Sequence, residues 1–115
     1  MNIDWERINE LIDPDDSEDV IWLKNYMGDL IVAFEGYLSD LSIALNANDK
    51  ENSTSLLHQI KGVSANNGFE TLRSIATEAE ILSRSNKLES VKKLVVDVPS
   101  IWQETKAELV QKLEL

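Results

Sequence analysis

His58 is the only histidine in the 115-residue chain, and there is no cysteine. An imidazole is the one side chain whose ordinary titration range spans neutral pH, so it can act as nucleophile or proton carrier there. On a helix, Leu56, Leu57, Ile60, Val63 and Ser64 share one face and make the natural core stripe. His58 points the other way. Gly62 and Ala65, one and two turns on, leave nearly bare backbone beside it, and Lys61 can reach round to the ring. This arrangement suits a reacting group that docks against something large.

Asn67-Gly68 is a helix stop signal, with glycine free to take the left-handed cap. The next amphipathic run, Leu72, Ile75, Ala76, Ala79 and Leu82, begins at once, so the two helices form an antiparallel hairpin about a turn near Phe69. His58 then lies beside Glu80. A carboxylate there can accept the Nδ1–H and leave the Nε2 lone pair facing outward, although Glu80 can equally be plain surface charge in the run Glu78-Ala79-Glu80. Lys61 can stabilise a phosphoryl group on Nε2 or simply be a solvated lysine. A hydrolytic triad finds no support, because there is no G-x-S-x-G elbow. One histidine with scattered carboxylates is too little for a metal site.

Around this hairpin the chain is helical. Val20, Leu23, Met27, Leu30, Phe34, Leu38, Leu41 and Leu45 step by three or four residues along one long helix. The acidic stretch from Asp13 to Asp19 fails as a calcium loop, since Glu18 stands where glycine is needed and Lys24 where a glutamate is needed. It reads as an acidic helix N-terminus. A short helix within 1–12, with Asp4 as N-cap, precedes it and is closed by Asp13-Pro14. From Leu88 a last helix carries Val91, Leu94, Val95, Val98, Trp102, Leu109 and Leu113, and Pro99 is expected to kink it. The expected fold is all-α: an up-down antiparallel four-helix bundle with an additional short N-terminal helix, in a single domain over 1–115.

Composition agrees. With 4 Gly and 2 Pro there is little material for a turn-rich β fold. A formal net charge of -10 repels phosphate backbones and argues against nucleic acid as partner. No apolar run approaches a membrane span and the start lacks the regions of a signal peptide, so no membrane contact and a cytoplasmic location are expected. The stripes are narrow enough to be satisfied within one bundle, so a monomer is expected, and the chain reads as self-contained.

The segment from His58 to Leu72 resembles the signature of the histidine-containing phosphotransfer (HPt) domains of two-component phosphorelays. It has Ile60 at +2, Lys61 at +3, Gly62 at +4, Ser64 and Ala65 as small residues, Gly68 at +10 and Leu72 at +14, and Glu80 matches a Glu or Gln at +22. Asn67 and Ala79 depart from the family's usual apolar residue and leucine. The resemblance implies that His58 carries the phosphate, Lys61 assists its transfer and Glu80 holds the imidazole. The partners it implies are response-regulator receiver domains and a hybrid sensor histidine kinase. The chain would be a carrier and not an enzyme, with no cofactor of its own and Mg²⁺ on the receiver. Ser55, Gln59, Gly62, Ala65, Asn66 and Phe69 are the candidate docking residues, and Gly68 is the structural turn. The competing readings are a non-catalytic helical adaptor that docks receivers, and a kinase-associated domain phosphorylated directly by an ATP-binding domain.

Overall fold

The computed structural model describes residues 2–115; Met1 lies outside the described residues. Among the described residues six helices follow one another: α1 Trp5–Asn9, α2 Ser17–Asn46, α3 Lys50–Asn66, α4 Glu70–Arg84, α5 Leu88–Leu94 and α6 Val98–Leu113. The fold is all-α. Among the described residues no helix is long and apolar enough to cross a membrane.

Helix α2 sets the long axis. Its 30 residues span about 45 Å at 1.5 Å per residue, and the molecule measures 47 × 21 × 20 Å. It begins at Asp16, whose side chain accepts from the N–H groups of Glu18 and Asp19 at 2.8 and 3.4 Å. Asp19 in turn accepts from the Asp13 N–H at 2.8 Å. The acidic stretch therefore caps a helix. Leu23, Met27, Ile31, Phe34, Leu41, Ala44 and Leu45 are buried along α2, while Val20, Leu30 and Leu38 sit half-buried at the margins of the stripe.

Helix α3 returns antiparallel, capped by Asp49 on the Asn52 N–H, and α4 runs back along it. Between them, Gly68 has φ +72°, and a Cβ there would lie 2.5 Å from the Asp4 carbonyl oxygen. Only glycine fits both the left-handed backbone and that approach. The close neighbour is the N-terminal segment. Asp4 N–H donates to the Gly68 carbonyl at 2.7 Å and Glu70 N–H to the Asn2 carbonyl at 2.9 Å, with Ile3 paired antiparallel to Phe69. Ile3 is buried in this extended contact and is not part of the first helix, which occupies only Trp5–Asn9.

Asn67 is also buried, yet its amide is satisfied: Oδ1 accepts from the Tyr26 hydroxyl at 2.8 Å and Nδ2 donates to the Val63 carbonyl at 2.8 Å. A polar group at this position thus ties the hairpin tip to α2.

The last stripe is divided. α5 ends at Leu94 and α6 starts at Val98, with Pro99 in its first turn. The missing proline N–H falls among the donors that a helix start leaves free anyway, so Pro99 opens a new helix instead of kinking an old one. α6 packs antiparallel to α2. Trp102 Nε1 and Lys106 Nζ both donate to Glu35 Oε2 at 3.0 Å. The Trp102 bond, followed by that from Lys106, holds the Glu35 carboxyl below its ordinary value. Beneath them Phe34, Phe69 and Trp102 form one aromatic cluster. Phe34 meets Trp102 edge-on at 4.7 Å and stacks on Phe69 at 5.8 Å.

Candidate functional site

The site lies midway along the α3–α4 hairpin. Leu57, Ile60 and Ser64 are buried and fix the rotation of α3, which turns His58 outward. On α4 the buried residues near this level are small: Ala76, Ala79 and Ser83. The helices can therefore draw close, and Thr54 Oγ1 and Ser83 Oγ lie 2.6 Å apart across them. This close packing carries Glu80 into the seam.

Glu80 is 4% exposed and gathers three partners. His58 Nδ1 lies 3.2 Å from Oε2 and 3.4 Å from Oε1. Lys61 Nζ lies 2.6 Å from Oε1. Arg84 donates to Oε2 through Nη2 at 2.6 Å and Nε at 3.1 Å. Burial pushes the Glu80 carboxyl up, but the hydrogen bonds from Lys61 and Arg84, the Lys61 charge and the His58 bond outweigh it and bring it down to about 2. The carboxylate is thus ionised at neutral pH and can only accept. In the neutral imidazole the ring hydrogen therefore sits on Nδ1, which leaves Nε2 with its lone pair. The His58 side chain is 63% exposed, so the ring is anchored on one nitrogen and open to solvent.

The surroundings divide the candidate residues. Ser55, Gln59, Gly62, Ala65 and Asn66 are exposed on α3. A Cβ at Gly62 would meet nothing within 4 Å, so the space beside the ring is free. Lys50, Glu51, Thr54, Ser55, His58, Gln59 and Arg84 line an open groove running along α3 from the ring. Phe69 leaves the docking set: it is 0% exposed in the aromatic cluster and offers a partner no surface. Gly68 is the left-handed turn expected of it.

Arg84 is the residue that sequence reasoning missed. Its signal was present, since it stands one helical turn after Glu80. An i,i+4 pair of that kind is usually a solvated surface contact, and only the burial of the carboxylate gives it another meaning.

A family model described as the Hpt domain matches residues 25–114, which contain all of α3 and α4. The chain therefore belongs to the Hpt domain family, the histidine phosphotransfer family of phosphorelays. No curated protein and no solved structure matches it.

Proposed function

We propose that the protein is a phosphorelay intermediate. His58 Nε2 accepts a phosphoryl group from the aspartyl phosphate of one receiver domain and yields it to the aspartate of another response-regulator receiver. In the forward step the Nε2 lone pair forms the N–P bond as the P–O bond to the aspartate breaks, and the electron pair leaves with the aspartate carboxylate. The ring keeps its Nδ1 hydrogen and becomes positively charged. Glu80 accepts that N–H and offsets the charge. Lys61, one turn from His58, exchanges Glu80 Oε1 for the phosphoryl oxygens. The second transfer is the same step in reverse. Much of the rate comes from positioning two proteins, with Mg²⁺ supplied by the receiver.

The single observation that carries this reading is an imidazole fixed at Nδ1 by a buried carboxylate with the other nitrogen open. A hybrid sensor histidine kinase as upstream source, a cytoplasmic location and a monomeric state go with it. The test is incubation with a panel of phosphorylated receiver domains. Wild type should gain an acid-labile phosphate that passes on to a second receiver, and His58→Gln should gain none. Absence of label with every receiver, or label on His58→Gln, refutes the proposal.

A further inference from the structure

The Glu80 carboxylate binds more positive charge than an orienting role requires. Orienting the ring needs one oxygen, and Oε1 is occupied by Lys61 at 2.6 Å. If Lys61 is to serve a phosphoryl group on Nε2, it must leave a carboxylate whose side chain is only 6% exposed. Stripping a buried carboxylate of its only cation is costly. With Lys61 as sole counterion, the lysine would stay where it is.

Building on the carrier reading, we propose that Arg84 is a positioning residue that releases Lys61 for the phosphoryl group. Arg84 holds Oε2 with two donors, Nη2 at 2.6 Å and Nε at 3.1 Å, from the next turn of the same helix. Those contacts are separate from the oxygen Lys61 occupies, so Lys61 can depart without leaving Glu80 bare. The charges then balance. In the phosphorylated state a phosphoryl group of about two negative charges and one carboxylate face the protonated ring, Lys61 and Arg84. Without Arg84 the same cluster carries an unmatched negative charge in the helix seam. Arg84 touches no reacting atom in this scheme and acts through Glu80 and Lys61. Arg84 also borders the groove beside His58, so docking is the rival explanation.

The rival makes a different prediction. Phosphorylation rates are to be measured for wild type, Arg84→Gln, Arg84→Lys, Lys61→Ala and Lys61→Ala/Arg84→Gln, with two donors: a phosphorylated receiver domain and phosphoramidate, which needs no docking surface. Arg84→Gln should slow both donors about tenfold, and Arg84→Lys should recover most of the rate, because the positive charge is what matters. Lys61→Ala should cost much less in the Arg84→Gln background than in wild type, since there Lys61 is already tied to Glu80. Three results overturn the inference: independent effects of the two substitutions, an Arg84→Gln variant as fast as wild type, or a loss confined to the receiver donor. A wild-type protein that takes no phosphate from either donor would bring down the carrier reading itself, and this inference with it.

Discussion

Glu80 meets His58 at Nδ1, and its chemistry predicts an acid-sensitive contribution to stability. Its folded-state value of about 2 lies below the ordinary 4.5. The stabilisation it brings is therefore present above about pH 4.5 and is lost as pH falls toward 2. A shift of that size, discounted for the solvent exposure of the Lys61 and Arg84 partners, is worth roughly 1–2 kcal/mol. Unfolding free energies measured across that window should fall less steeply for Glu80→Gln than for wild type; equal slopes would mean the carboxylate is not ionised against its cations. The pairing of position 58 with position 80 was legible, because antiparallel helices about a short turn fix which residues sit side by side. The burial of Glu80 and the second cation were not. Both depend on how closely α3 and α4 approach, which the small residues Ala76, Ala79 and Ser83 set in three dimensions.

At the scale of elements, the hairpin that carries the site is held from outside. The N-terminal segment, which precedes the matched residues 25–114, bonds to both sides of the turn through Asp4 and Asn2. Gly68→Ala introduces a Cβ against the Asp4 carbonyl at a left-handed φ. It should cost about 1–3 kcal/mol of unfolding free energy and raise hydrogen exchange at the Asp4 and Glu70 amides. Unchanged protection of those amides would show that the segment does not lean on this turn. Helix α2 was readable because its apolar steps continue without a break from Val20 to Leu45. The α5–α6 division was not readable, because the apolar positions stay in phase across Pro99. A proline at a helix start and a proline at a kink then look the same. Ile3 was misplaced for a related reason: a single apolar residue fits a helical spacing or an extended bridge equally well.

For the whole molecule, the proposed function needs a partner on the exposed side of α3, where Gly62 and Ala65 are exposed and present nothing larger than a methyl group. Phe69 illustrates the limit of sequence reading here. A large apolar residue at a hairpin tip suits either a docking surface or a core, and only the positions of Phe34 and Trp102 decide for the core. Gly62→Gln fills open space, since a Cβ there meets nothing within 4 Å. The variant should keep the thermal midpoint of the wild type to within a few degrees. Its affinity for a receiver domain, measured by titration calorimetry, should fall about tenfold or more. Undiminished affinity would move the docking face elsewhere. Yet the proposed chemistry rests on one atom, His58 Nε2. Phosphorus-31 and nitrogen-15 NMR of the protein phosphorylated by a receiver domain can identify the bonded nitrogen, without ambiguity because His58 is the only histidine. Phosphorus on Nε2, with Nδ1 still protonated toward Glu80, is the predicted result. Phosphorus on Nδ1, or on any residue other than His58, would contradict it.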